Sequence, residues 1–140
     1  MKRKSESGFS LIELLIVVVV IGIVAALAVP ALQKGIHAAE NGNTFATLRV
    51  VGSTQMSFYS QRNRFAKLLE INNIHSNGIG TPSGDELIRG KFIFSMPDDP
   101  TDEELREGYR ITATRNISGE GITYVYELDQ SGVVRQVMPE

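Results

Sequence analysis

Residues 8–32 read GFSLIELLIVVVVIGIVAALAVPAL, and this stretch decides the fold. No charged side chain occurs between Leu14 and Leu32. A helix through these residues would be roughly 28 Å long at about 1.5 Å per residue, close to the thickness of a bilayer's hydrocarbon core. The stretch therefore predicts a helix that is able to span a membrane.

Three basic residues, Lys2, Arg3 and Lys4, precede the apolar stretch. The positive-inside tendency predicts that they stay in the cytoplasm and that the chain after the span lies outside. A secretory signal peptide also begins with basic residues, but its apolar region is usually only about 7 to 15 residues long. Residues 25–28 (AALA) are similar to a signal-peptidase site, so removal of the whole stretch is an alternative.

A carboxylate, Glu13, lies at the start of the apolar stretch. An ionised side chain at the centre of a membrane helix costs on the order of 2.5 to 3.5 kcal/mol, and less near the interface, so Glu13 requires a partner. A cut between Gly8 and Phe9 would create an α-amine close to Glu13, able to pair with Glu13 of a staggered copy. The alternative is an ordinary single-span anchor whose Glu13 reaches water at the interface.

The segment from Gly8 to Pro30 resembles the class III prepilin signal of type IV pilins and type II secretion pseudopilins. The resemblance implies that a prepilin peptidase cuts after Gly8 and methylates Phe9. It also implies that Glu13 is the family's glutamate and that the helix survives cleavage as the core of a filament. The expected segments are a cleaved leader (1–8), a transmembrane or filament-core helix (9–32), its amphipathic half (33–61) and a globular domain (62–140).

Gly22 and Pro30 weaken the apolar helix. Proline has no N–H, so a kink is expected at Pro30, and glycine costs about 1 kcal/mol relative to alanine. In assembled pili of the family that this chain resembles, the equivalent stretch can lose its helical structure. The pair is therefore expected to mark a segment that melts or kinks.

After Pro30 the helical pattern becomes amphipathic, and one helix is predicted from about Ser10 to Gln61. Residues 41–43 (NGN) are a possible bend within it. Spacings of three and four produce an apolar stripe that should pack against a globular domain. The stripe contains Leu48, Val51, Gln55 and Phe58, widened by Phe45, Met56 and Tyr59.

The C-terminal part of the chain alternates apolar and polar residues with the period of β-strands. Residues 65–74 are expected to form a short helix or turn, and residues 76–84 a loop. Alternation then follows in residues 92–96, 109–113 and 122–128, and a turn at Asp129–Gly132 leads into a last strand at 133–137. The predicted class is α+β, a long helix packed on a three- to four-stranded antiparallel sheet, which is the pilin fold that the resemblance implies.

Acidic residues cluster between two of the predicted strands, and Asp98, Asp99 and Asp102 are the weak candidates for a calcium site. A solvated loop is the preferred interpretation, because the spacing is not that of an EF-hand. His37 and His75 lack a zinc motif, the chain has no cysteine, and no nucleophile motif or phosphate-binding loop occurs. No enzymatic activity, cofactor or nucleic-acid site is expected.

The leading functional hypothesis is a pilin that polymerises through its N-terminal helix into an extracellular filament for motility, adhesion or DNA uptake. The resemblance implies as partners further copies of the chain, a prepilin peptidase, an inner-membrane platform and a cytoplasmic assembly ATPase. The subunit would reside in the bacterial inner membrane with a cytoplasmic N-terminus before it joins a surface pilus. Two alternatives stay open: a pseudopilin of type II secretion, and a membrane-anchored binding domain that does not assemble.

Overall fold

The computed structural model describes residues 8–97 and 99–139. Its order of elements is α1 (Leu11–Arg62), α2 (Leu68–Ile74), β1 (Thr81–Ser83), β2 (Glu86–Arg89), β3 (Phe92–Ser95), α3 (Glu104–Glu107), β4 (Arg110–Ile117), β5 (Ile122–Asp129) and β6 (Val134–Met138). The α+β class and the long N-terminal helix are thus confirmed. The expected bend at residues 41–43 is wrong, because α1 is helical throughout that segment.

The chain divides into two compact units, one up to Ala39 and one from Glu40 onward, so the boundary falls inside α1. The N-terminal unit is the apolar part of that helix. The C-terminal unit contains the rest of α1 and all the strands. Each half of α1 therefore has its own surroundings, although the backbone helix is continuous.

The strands form one antiparallel sheet in the order β1-β2-β3-β4-β5-β6. The prediction of three or four strands is wrong, because β1 lies within the predicted loop 76–84 and no strand is predicted at the position of β2. Thr81 pairs with Ile88 and Ser83 with Glu86 across the turn at Gly84, whose φ is +62°. The strand β1 is exposed at all three residues and contains Pro82, so it has no alternating pattern to reveal it.

The core of the C-terminal unit lies between one face of α1 and the inner face of the sheet. Leu48 and Val51 from α1 are fully buried with Phe92, Phe94 and Ile111. Phe45, Phe58 and Tyr59 pack against this core, as the helical stripe predicted. Met56 is 58% exposed, so its inclusion in the stripe is wrong.

Gln55 is a buried polar residue on the inward face of α1. Its Nε2 donates to the Ala66 carbonyl at 2.9 Å, and its Oε1 accepts from the Ala66 N–H at 2.7 Å. The side-chain amide thereby satisfies both backbone groups of a buried residue that belongs to no helix or strand. Gln55 fixes the path of the chain just after α1 ends.

The turn predicted at Asp129–Gly132 is confirmed. The Gly132 N–H donates to the Asp129 carbonyl at 3.0 Å, and the Asp129 carboxylate accepts from the backbone N–H of Ser131 at 2.8 Å. Hydrogen bonds from the Ser131 hydroxyl and from the Ser131 N–H lower the pKa of the Asp129 carboxyl below its ordinary value. The following strand β6 starts one residue later than expected and pairs with β5.

Candidate functional site

The peptide bond between Gly8 and Phe9 lies just before α1 begins. Both residues are exposed, and the Phe9 side chain is 79% accessible. A Cβ added to Gly8 would meet no atom within 4 Å. This junction is therefore free of any contact that would shield it within the described part of the chain.

Glu13 lies in the first turn of α1. Within residues 8–97 and 99–139 it takes part in no ion pair. An acidic side chain in a first turn is stabilised by the helix dipole, which is worth about 0.3–1 kcal/mol at an exposed position. That interaction is small beside the cost of placing a carboxylate among apolar groups.

The apolar half of α1 has no covering surface in its own chain. Every residue from Gly8 to Ile36 is exposed, including a series of valine, isoleucine and leucine side chains. Its most apolar 18-residue window has a mean hydropathy of 3.1, and the helix is long and apolar enough to cross a membrane. Because soluble monomers rarely expose contiguous apolar patches above a few hundred Å², lipid or other protein must cover this helix.

Gly22 and Pro30 both lie inside α1, which is assigned as helix through both of them. Proline lacks the N–H that would bond the carbonyl four residues earlier, so the Ala26 carbonyl loses its usual helical partner. A Cβ at Gly22 would meet no atom within 4 Å. The expected melting of this segment concerns the assembled state and stays a prediction.

The acidic loop, defined here as residues 99–107, is connected by ion pairs to the segment between α1 and α2. The Asp99 carboxylate lies 3.4 Å from Lys67 Nζ, and the Asp102 carboxylate lies 3.5 Å from Arg64 Nε. The Phe65 N–H also donates to the Leu105 carbonyl at 2.8 Å. The weak calcium candidates Asp99 and Asp102 are therefore separate partners of two cations, and Asp98 lies outside the described residues.

In the part of the chain that the structure describes, no three His, Asp or Glu side chains are grouped as metal ligands. His75 Nε2 lies 2.7 Å from Thr54 Oγ1, which ties the end of α2 to α1. Glu70 accepts two hydrogen bonds from the Arg64 guanidinium, at 2.8 and 2.9 Å, and one from the Lys67 N–H. The bonds from Arg64 hold the pKa of Glu70 below its ordinary value.

A buried ion pair on β4 was missed from the sequence. Arg115 is only 2% exposed, and its Nη1 lies 2.6 Å from Glu40 Oε2. The second oxygen of Glu40 lies 3.5 Å from Lys91 Nζ, and the guanidinium packs over the Phe92 ring at 5.8 Å. A signal was present, because Arg115 occupies the inward position that follows Ile111 and Ala113 in the strand alternation.

Comparison with known proteins gives a consistent family. Residues 3–29 match the model of the prokaryotic N-terminal methylation motif. The chain is 39% identical to the type IV major pilin protein PilA of Myxococcus xanthus over 64% of this chain and 44% of that protein. It is 31% identical to the type IV major pilin protein PilE1 of Neisseria gonorrhoeae over 81% of this chain and 55% of that protein.

A shorter similarity links the chain to a secretion protein. Over 34 residues it is 60% identical to the type II secretion system core protein G of Pseudomonas aeruginosa, which is 24% of each chain. The chain spans about half the length of the two pilins above. No solved structure gives a significant match. The motif and the pilin similarity, together with the long apolar helix and the antiparallel sheet, support a type IV pilin-like protein.

Proposed function

We propose that this chain is a structural subunit of a type IV pilus and not an enzyme. The observation that carries the proposal is the uncovered apolar helix, which follows the exposed Gly8–Phe9 junction and needs lipid or identical neighbours around it. The match to the methylation motif and the similarity to two major pilins support it. Polymerisation would be the activity of the protein, with motility, adhesion or DNA uptake as activities of the filament.

Processing comes first in this proposal. A prepilin peptidase removes the leader, residues 1–8, and methylates the new N-terminal Phe9. Residues 9–32 then remain as the helix that passes from the bilayer into the filament core, with residues 33–61 as its amphipathic half and 62–140 as the globular part. The exposure of Gly8 and Phe9 ahead of α1 supports this order of events, since a peptidase needs an extended and accessible substrate.

Assembly in this proposal depends on pairing between the Phe9 amine and Glu13 of neighbouring copies. In a filament the lipid contacts of α1 are replaced by contacts with other helices, so the Glu13 carboxylate becomes buried. A buried carboxylate without a partner is strongly unfavourable, and a nearby amine offsets that cost and sets the axial register. The lack of an ion pair to Glu13 among the described residues of the single chain supports a partner from another copy.

In this proposal the subunit resides in the bacterial inner membrane before it joins a pilus. The leader's basic residues favour a cytoplasmic N-terminus, and α1 is long enough to span the bilayer. Extraction into the pilus would then need an inner-membrane platform and a cytoplasmic ATPase. The Gly22 to Pro30 segment would loosen during this transfer, because its backbone hydrogen bonding is already incomplete at Pro30.

The decisive measurement is the intact mass and N-terminal sequence of protein sheared from the surface of cells that express the chain. We expect filaments whose subunit begins at a methylated Phe9. A surface-exposed chain that begins at Met1 would indicate an unprocessed anchor. A chain that begins near Ala28 would indicate an ordinary signal peptide, and either result would overturn the pilin proposal.

The Glu13→Ala variant tests the pairing step. We expect cleavage at Gly8 to continue while the yield of sheared filaments falls at least about tenfold. A loss of only about 1.4 kcal/mol in the free energy of subunit association already lowers the association constant tenfold. Glu120→Ala removes an exposed carboxylate from the β4–β5 turn and is the matched control, with an unchanged yield expected. Normal filament yield from Glu13→Ala would refute the pairing.

A pseudopilin is the second candidate, favoured by the similarity to the secretion core protein G over 34 residues. Its membrane helix would behave in the same way, and the filament would be short and periplasmic. Electron microscopy of cells that express the chain at its native level separates the two functions. Long surface fibres containing the chain favour the pilus, whereas loss of protein secretion on deletion, without surface fibres, favours the pseudopilin.

A further inference from the structure

A small pocket lies at the end of the sheet where the β2–β3 turn meets α1. Its volume is about 300 Å³, and we call it the turn pocket. Gly90 shapes the turn with a φ of +60°, a conformation that favours glycine. The lining residues are Glu40, Asn43 and Thr44 from α1 and Arg89, Gly90, Lys91 and Phe92 from the turn and the strand ends.

Positive charge exceeds negative charge around this pocket. Arg115 and Lys91 share the single carboxylate of Glu40, and Arg115 also packs on Phe92 of the pocket wall. Arg89 uses its guanidinium to donate to the Gly78 and Ile79 carbonyls, so it contributes a third positive charge, without a carboxylate partner among the described residues. Three cations thus surround one anion.

The buried guanidinium is also short of hydrogen-bond acceptors. Among the described residues, neither Nε nor Nη1 of Arg115 has an acceptor in hydrogen-bond geometry, although Nη1 is within ion-pair distance of Glu40. Buried donors are nearly always satisfied in folded proteins, and an unsatisfied charged donor is especially unfavourable. Because these donors are buried, Arg115 contributes its charge to the pocket and not a contact. Lys91, whose side chain is 61% exposed, is the cation that a further carboxylate can reach, and the excess of positive charge favours one.

The acidic loop lies at the opposite end of the same sheet. Lys91 immediately precedes β3, whereas the acidic loop connects the end of β3 to the start of β4. Arg115 is near the end of β4, which at eight residues is about 27 Å long. Within the described residues, Glu103 and Glu107 of this loop are exposed and in no ion pair.

A contact between opposite ends of identical molecules has a definite consequence for assembly. Such a heterologous contact leaves a free end on each copy, so it propagates into an open filament and does not close as a dimer. We infer that the turn pocket of one copy receives a carboxylate of the acidic loop, Glu103 or Glu107, from the next copy. This inference rests on the proposed function, because it names the contact between globular parts that accompanies polymerisation.

Cysteine cross-linking tests the inference directly, because the chain has no cysteine of its own. Filaments of a Lys91→Cys/Glu103→Cys variant and of a Lys91→Cys/Glu107→Cys variant are treated with a mild oxidant and separated without reductant. We expect a ladder of covalent oligomers from at least one of them. The control Lys91→Cys/Glu120→Cys places both thiols at the turn-pocket end of the sheet, and we expect no ladder from it.

Charge exchange supplies the second measurement. We expect Lys91→Glu to lower filament yield at least about tenfold, because like charges brought together across an interface cost several kcal/mol. Adding Glu103→Lys and Glu107→Lys should restore the yield, while the melting temperature of the detergent-solubilised subunit identifies any variant that is merely unfolded. Restoration in a folded triple variant is the result that a purely structural role of Lys91 would not produce.

The outcomes separate the two proposals. Wild-type filaments that give no ladder from either pair, or only a covalent dimer, would overturn the turn-pocket contact and leave the pilus proposal intact. Unchanged yield from Lys91→Glu would do the same. Absence of any filament from the wild-type chain would instead overturn the proposed function, and the contact with it.

Discussion

The same kinds of apolar side chain are exposed in the N-terminal unit and buried in the C-terminal unit. Leu14 and Ile21 in the N-terminal unit are 59% and 61% exposed, whereas Leu48 and Ile111 in the C-terminal unit are fully buried. Leu14 and Leu48 even belong to the same helix. The difference lies in pattern, because apolar residues surround α1 before Pro30 and form a stripe on one face after Glu40.

This difference indicates where each unit obtains its stability. The C-terminal unit buries its apolar side chains against its own sheet, so changes there should alter its unfolding. The N-terminal unit depends on lipid or on other copies, so changes there should alter insertion and assembly instead. Substitutions placed in matched pairs across the boundary can test that separation.

The largest expected effect comes from deleting a core aromatic residue. Phe94→Ala removes a fully buried ring and should lower the free energy of unfolding by about 3–5 kcal/mol. Ile21→Ala removes an exposed side chain and should change it by less than about 0.5 kcal/mol. Chemical denaturation of the two full-length variants in the same detergent, followed by tyrosine fluorescence, measures both.

The proposed division between a folding unit and an assembly unit would be wrong if Ile21→Ala were as destabilising as Phe94→Ala. That result would mean that the apolar helix contributes to folding of the sheet. A large effect of Phe94→Ala alone, combined with reduced filament yield from Ile21→Ala, would assign folding to one unit and assembly to the other.

An intermediate effect is expected from the buried amide after the boundary. Gln55→Ala leaves the N–H and the carbonyl of Ala66 without hydrogen-bond partners. Each buried polar group without a partner lowers the free energy of unfolding by about 1–3 kcal/mol. Gln61→Ala removes an exposed amide from the same helix and should cost less than about 0.5 kcal/mol. Thermal unfolding of both variants, with amide hydrogen exchange at Ala66, would show whether Gln55 fixes this segment.

The smallest effect concerns pH. The Arg64 bonds lower the pKa of Glu70 from its ordinary value of 4.5, so the folded state favours the carboxylate. The stabilisation is therefore fully present above about pH 4.5 and is lost as the pH falls through the lowered pKa. We expect Glu70→Gln to reduce stability modestly at neutral pH, since the pair is partly exposed, and to reduce the loss of stability on acidification.

Melting temperatures of the wild type and Glu70→Gln between pH 7 and about pH 3 measure this change. Two parallel pH curves would show that the ion pair contributes nothing. Convergence of the curves at low pH would place this part of the acid sensitivity at the junction after α1, within the C-terminal unit.

Much of the fold follows from local sequence pattern. The charge-free run predicts α1, and the alternation in residues 92–96, 109–113 and 122–128 predicts β3, β4 and β5. These signals are detectable because each element repeats one pattern over several residues. The hairpin of β1 and β2 lacks such a repeat, and its pairing is determined by the turn at Gly84 and by the neighbouring strand β3.

The interactions between distant residues could not be derived in the same way. Glu40, Lys91 and Arg115 are far apart in sequence, and only the fold brings their charges together. The N-terminal candidates Gly8, Phe9 and Glu13 present the reverse case. Their sequence signal is specific, but the contact proposed for them joins two copies, so the structure of a single chain does not contain it.

The strand β1 has a consequence for the proposed filament, in which many copies would be held side by side. An unpaired strand edge is a template on which a second chain can add, and this risk grows when many copies are held side by side. Here the edge is only three residues long, and Pro82 has no N–H to offer. A second chain is thereby discouraged from adding a strand at the β1 edge of the sheet.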